Sequence, residues 1–111
     1  MSFELSGKTY ETDEEGYLQN LNDWSKEAGE YIAGTEDVEM DEKRWEVVNW
    51  LRKYYSEYGI APAIKLLIKE MMTMFGKDKK ETQKYLYDLF PAGPAKQACK
   101  IAGLPKPTGC V

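Results

Sequence analysis

The chain has 111 residues, 42% apolar and 13% aromatic, enough for one domain with a modest core and too apolar for a disordered chain. A formal charge of −4 argues against general nucleic-acid binding. With no histidine, serine–histidine and cysteine–histidine nucleophile pairs and most metal sites are excluded, and two cysteines are too few for an intrachain four-thiolate zinc site.

The charge is unevenly spread. Residues 1–42 carry 13 acids against Lys8 and Lys26, whereas residues 43–111 carry 13 bases against 6 acids. The opening "MSFELSGK" has no apolar leader pattern, and no apolar run approaches the length of a membrane span. A cytoplasmic protein is therefore expected, in a compartment where disulfides are usually transient and catalytic or redox-sensing.

In chain order, "FEL-SG-KTYE" places a Ser6-Gly7 turn between two short alternating runs, a hairpin pattern, and "TDEEGYL" continues into another turn. Asn22 or Asp23 is expected to cap a short helix over "WSKEAGEYIA" that ends at Gly34. The spacing of Trp45, Val48, Leu51, Tyr55 and Tyr58, widened by Val47 and Tyr54, predicts a helix over 42–58 starting near Asp41 and stopped by Gly59. In "GIAPAIKLLIKEMMTMFG", Pro62 is expected in the first turn of the next helix and Gly76 just past its end, with Ile64, Leu67, Ile68, Met71, Met72 and Phe75 buried. Asp78 and Glu81 have capping-box spacing and open a helix carrying Tyr85, Leu86, Leu89 and Phe90 to Pro91. Pro94 and Gly103 bracket a last short helix that contains Cys99. Beyond it, the two prolines of "LPKPTGCV" favour an extended segment.

Both cysteines, Cys99 and Cys110, lie in the last nineteen residues. A disulfide between them would close only a terminal loop and crosslink none of the core. Cys99 alone also fits a small buried helix residue, since a thiol packs well inside. As an extended segment, the chain carrying Cys110 reaches roughly 20–28 Å from the globule, far enough to enter another protein's channel. A disulfide needs Cα atoms about 4.4–6.8 Å apart, so the same segment must fold back to form one. Gly103 and Gly109 are the expected hinges, and Leu104 and Lys106, each before a proline, are biased towards extension. A thiolate here can take up sulfur as a persulfide, and a second thiol on the same chain can attack the loaded sulfur. Lys100 and Lys106 favour the thiolate and the Val111 carboxylate opposes it.

At these residues the chain resembles a known family. "YLYDLFPAGPAKQACKIAGLPKPTGCV" at 85–111, "NLNDW" at 20–24, "YYSEYGIAPAIKLLIK" at 54–69 and "DEEGYL" at 13–18 are similar to the DsrC/TusE family. The presence of Cys99 beside the penultimate Cys110 places the resemblance nearest DsrC, the gamma subunit of dissimilatory sulfite reductase. It implies a mainly α (α+β) fold, a small helical bundle with an N-terminal β-hairpin and a mobile C-terminal arm. The single domain would divide into a hairpin region at 1–18, a helical core at 19–92 and a redox arm at 93–111. It also implies a sulfur carrier that is a co-substrate of the reductase rather than a catalyst on its own. Cys110 would accept sulfite-derived sulfur and Cys99 would close a trisulfide around it. The implied partners are the reductase alpha and beta subunits, a membrane electron-transfer complex with a heterodisulfide-reductase-like subunit, and sulfur relay proteins. Sirohaem and iron–sulfur clusters would belong to the reductase, with no cofactor or metal held by this chain.

Two other readings stand beside this one. A persulfide relay for tRNA thiolation, of the TusE kind, would need Cys110 and not Cys99. A helix-turn-helix over 42–58, "YGIAP" and 62–75 would present Lys65 and Lys69 to DNA, although the acidic body weighs against nucleic acid.

Overall fold

A two-residue turn opens the fold. Strands β1 (Ser2–Leu5) and β2 (Lys8–Glu11) pair antiparallel with Leu5 opposite Lys8 and Phe3 opposite Tyr10. Ser6 (φ 51°) and Gly7 (φ 79°) are both left-handed, as the tight hairpin twist requires. The computed structural model describes residues 1–107. The Phe3 ring stacks on Tyr10 at 5.0 Å and on Tyr31 at 4.3 Å, which fastens the hairpin to the first helix.

Five helices follow: α1 (Lys26–Thr35), α2 (Glu42–Tyr58), α3 (Ile64–Phe75), α4 (Lys79–Leu89) and α5 (Pro94–Ile101). Local chemistry sets most of their ends. Asp41 accepts from Arg44 N–H and Asp78 from Glu81 N–H, satisfying first-turn donors of α2 and α4. Gly59 and Gly76, both left-handed, end α2 and α3.

Three boundaries differ from expectation. Neither Asn22 nor Asp23 caps α1: Asn20 caps a 3-10 turn at Leu21–Asp23, and Ser25 caps α1 by accepting from Ala28 N–H at 3.1 Å. Trp24 is extended between them, so the chain turns twice where one start was expected. Nor does Gly34 stop α1. The helix runs through it to Thr35 and ends where Asp37 turns left-handed (φ 57°), letting Val38 N–H bond Ala33 O at 2.9 Å. Pro62 precedes α3, whose cap is Ala63.

The core is centred on α5. Val47, Val48 and Leu51 of α2, Leu67 and Met71 of α3, and Leu86 of α4 are at most 1% exposed, as are Phe90, Ala98, Ile101 and Leu104. α5 packs against α1, α2 and α4. Its Ala95, Ala98, Cys99 and Ala102 are small, and close helix approach follows from that. Gly29 of α1 complements them: a Cβ there would stand 3.2 Å from Ile101 O. The segment from 93 onward therefore begins as core rather than as arm, and the body extends to Leu104.

The α2 stripe is buried as read at Val47, Val48 and Leu51 but fails in its last turn. Tyr58 is 63% exposed: its ring lies tilted against Tyr54 at 4.6 Å, and Tyr54 in turn stacks on the half-buried Trp50 at 5.4 Å.

Candidate functional site

Cys99 lies inside α5, as its sequence bracket predicts, and is 1% exposed. The helix forms because Pro94 supplies a helical φ where a missing N–H does no harm, and Ala, Lys and Gln continue it well. It ends in a Schellman arrangement. Leu104 N–H donates to Cys99 O at 3.0 Å and Gly103 N–H to Lys100 O at 3.1 Å, with Gly103 at φ 74°. The backbone of Cys99 is thus part of the helix stop itself.

That stop is gripped from outside. Trp24 Nε1 donates to Ile101 O and Arg52 Nη1 to Ala102 O, each at 2.7 Å, so two carbonyls that a helix end leaves unpaired are satisfied. The Arg52 guanidinium lies 4.0 Å over the Trp24 ring. Burial lowers the Arg52 pKa, but from a range so high that the group stays cationic. Gly103 presses on the same indole: a Cβ there would run into Cδ1 and lie 2.8 Å from Cγ. Gly103, expected to be a hinge, is instead a fixed stop. A side chain is excluded there by both the left-handed backbone and Trp24.

The turn at 13–17 faces another part of α5. Asp13 Oδ1 accepts from Glu15 N–H at 2.9 Å and from Tyr17 N–H at 3.0 Å, shaping the turn locally. Gly16 abuts Lys100, since a Cβ would meet Lys100 Cε at 2.9 Å. The Tyr17 hydroxyl donates to Lys96 O at 3.2 Å, and the Lys100 ammonium stands 5.8 Å from the Tyr17 ring centre. Lys100 also pairs with Glu36 Oε2 at 3.1 Å, a bridge largely out of solvent. Glu36 Oε1 accepts from Gln97 Nε2 at 3.4 Å, and Gln97 Oε1 from Ala92 N–H at 3.3 Å. Farther along, Lys106 meets Glu15 Oε2 at 3.0 Å in an exposed pair.

Tyr17 reports the electrostatics of this cluster. Its pKa is pushed up to about 12, first by burial and then by negative charge on Cys99, Glu15, Glu36 and Asp13. At neutral pH it is a protonated hydrogen-bond donor within electrostatic reach of the Cys99 sulfur. The arrangement leaves one buried thiol within electrostatic reach of a neutral phenol and just before a pinned helix end.

Cys110 falls among residues 108–111, outside the described residues, together with Gly109 and with the reach and pairing expected of that thiol. Lys65 and Lys69 are exposed on α3. Sequence reasoning gave no role to Tyr17, Trp24, Glu36 or Arg52. The first two stood inside the quoted "DEEGYL" and "NLNDW" segments, which was a usable signal. Glu36 and Arg52 are distant in sequence from the residues they hold and carried none. Among the described residues, no helix is long and apolar enough to cross a membrane.

The model of the family described as DsrC-like protein matches residues 4–111. The chain is 49% identical over 107 residues to the sulfurtransferase TusE of Escherichia coli (strain K12), covering 96% of this chain and 97% of that protein. It is 46% identical over 108 residues to TusE of Yersinia pseudotuberculosis serotype I, covering 97% and 99%. Among solved structures, it is similar to DsrC of Allochromatium vinosum (TM-score 0.88, 52% identity, both chains covered at 100%). The oxidized gamma subunit of dissimilatory sulfite reductase from Archaeoglobus fulgidus is also similar (TM-score 0.85, 39% identity, 100% of each chain).

Proposed function

This chain belongs to the DsrC-like protein family, and from that membership we propose that it is a sulfur carrier whose loaded residue is Cys110. In this reading it works as a persulfide relay of the TusE kind. The Cys110 thiolate attacks the outer sulfur of a donor persulfide, R–S–SH. The donor S–S bond breaks, R–S⁻ leaves, and Cys110 holds the sulfur as Cys–S–SH, with no net oxidation. An acceptor then takes that sulfur, with tRNA thiolation as its destination. The observation that carries this reading is near full-length similarity, at 46–49% identity, to proteins named sulfurtransferases. The burial of Cys99 in the body agrees with a relay that needs one reactive thiol.

The second reading has its own observation: Cys99 is present in α5, and the chain is 52% identical to a DsrC structure. There the chain would be a co-substrate of dissimilatory sulfite reductase. Sulfite, both thiols, two electrons and four protons would give a Cys99–Cys110 trisulfide and three waters. Four further electrons and four protons from a membrane electron-transfer complex would release sulfide and restore both thiols.

Intact-mass analysis of Cys99→Ala and Cys110→Ala separates the two. A relay gains one sulfur from a persulfide donor in Cys99→Ala and passes it on, while Cys110→Ala gains none. If Cys99→Ala loads but cannot deliver, and turnover with sulfite reductase and sulfite gives a bridged species only in wild type, the trisulfide reading replaces the relay. If Cys110→Ala loads as wild type does, neither carrier reading survives.

A further inference from the structure

The geometry points to the groove between α3 and α4 as the docking site for an acidic, amphipathic helix of the protein that exchanges sulfur with Cys110. The partner's identity as a sulfur-exchange protein rests on the carrier reading; the groove and its chemistry do not.

The groove has a volume of about 460 Å³. Its floor is apolar: Ile68, Met72, Leu86 and Pro94, of which Ile68, Leu86 and Pro94 are buried. Its charged lining, among the described residues, is Lys65, Lys69 and Lys79, all exposed. The acids of the same helices lie elsewhere. At 100° per residue, Glu70 of α3 points away from Ile68 and Met72, and it lines the recess beside Trp50 and Tyr54 instead. Glu81 and Asp88 of α4 fall on the side of that helix opposite Lys79 and Gln83, whereas Lys80 and Lys84 fall on the flank next to Tyr87. A chain with net charge −4 thus presents a cationic trough here, and a long-range field from an acidic partner would be complementary to this face.

The shape selects a helix. The lining of α3 runs from Ile64 to Met72, about 12 Å or two helical turns, which matches apolar anchors at i, i+4 and i+7 with acids flanking them. Duplex DNA offers phosphates and needs no apolar floor, so the same lysines over exposed polar surface would fit it better. Position then ties the groove to the carrier function. Pro94 opens α5, and α5 spans about 12 Å to Ile101. The six residue-to-residue steps from Leu104 to Cys110 have a contour length on the order of 20 Å. A partner seated on the groove is within that length of the thiol's anchor.

The test uses the full chain, isotope-labelled for methyl NMR, and a stapled helical peptide of about three turns with leucines on one face and glutamates beside them. The expected result is saturable shifts at the Ile64, Ile68 and Met72 methyls. Binding should be at least about tenfold tighter than for the same peptide with lysines in place of glutamates. The double variant Lys65→Glu with Lys69→Glu should reverse that preference. Equal binding of the acidic, lysine and sequence-scrambled peptides overturns the proposal, as do shifts that map to another face. It is also overturned if duplex DNA produces the groove shifts and the acidic peptide cannot displace it. Loading of wild-type Cys110 by glutathione persulfide, read by intact mass, forms a separate arm. Failure there removes the carrier reading, while the peptide result decides the groove alone.

Discussion

Gly103→Ala tests the pinned helix end, because two separable penalties meet at that residue. The backbone stands at φ 74°, where a Cβ costs about 1–2 kcal/mol. The new methyl group would also run into the Trp24 indole, 2.8 Å from Cγ and 2.9 Å from Cβ, and overpacking of this kind costs roughly 1–3 kcal/mol. Gly76 is the matched control: φ 64°, with nothing within 4 Å of an added Cβ, so Gly76→Ala carries the backbone penalty alone. The two variants should therefore lose about 2–5 and about 1–2 kcal/mol, out of a total near 5–15 kcal/mol. At roughly 4 °C per kcal/mol for a domain this size, Tm falls by about 8–20 °C for Gly103→Ala and about 4–8 °C for Gly76→Ala. Thermal unfolding followed by circular dichroism reads both. A second readout tests the link to the thiol. Leu104 N–H is bonded to Cys99 O, so disturbing the stop should raise the rate at which a thiol reagent labels Cys99, and Gly76→Ala should leave that rate unchanged. Equal Tm losses, or equal labelling rates, would sink the claim that Trp24 holds this end of α5.

Tyr17 should show a phenolate absorbance step near pH 12 that disappears in Tyr17→Phe. Its folded pKa lies above the unfolded value of 10, so the folded state keeps a proton that the unfolded chain has lost. Stability should fall as pH rises from 10 towards 12 and level off above, and a flat profile in wild type would contradict the burial of this phenol. Arg52→Lys keeps the charge but loses the planar stack on Trp24 and the fixed donor to Ala102 O. A loss of about 1–3 kcal/mol is expected, seen as a lower urea midpoint at unchanged m-value. Lys106→Gln removes an exposed ion pair with Glu15 and should shift the midpoint by less than about 1 kcal/mol. A larger effect would mean that the turn at 13–17 restrains the chain beyond the helix more firmly than one surface bridge can.

The sequence by itself determined the elements whose causes are local. Asp41 and Asp78 as caps, Gly59 and Gly76 as stops, the Ser6-Gly7 hairpin turn and the bracket of Pro94 and Gly103 around Cys99 each depend on residues within a few positions. The family was legible for a related reason, in four contiguous segments, one of which carries both cysteines. The places where local reading missed are those where two signals competed over a short span. Asn20 and Ser25 cap the two turns where one cap was expected at Asn22 or Asp23, because Trp24 is extended between them and its indole reaches α5. What only the tertiary structure decided is the standing of α5. With two lysines, a glutamine and mostly small apolar residues, it reads as a peripheral start to an arm. Those small side chains are what let three other helices close around it, and no local pattern announces which helix will be surrounded. The burial of Cys99 follows from that enclosure, as do the grip of Trp24 and Arg52 on the carbonyls beside it. Burial and such long-range hydrogen bonds depend on residues about 50 to 79 positions apart in the chain, a distance over which spacing rules carry no information.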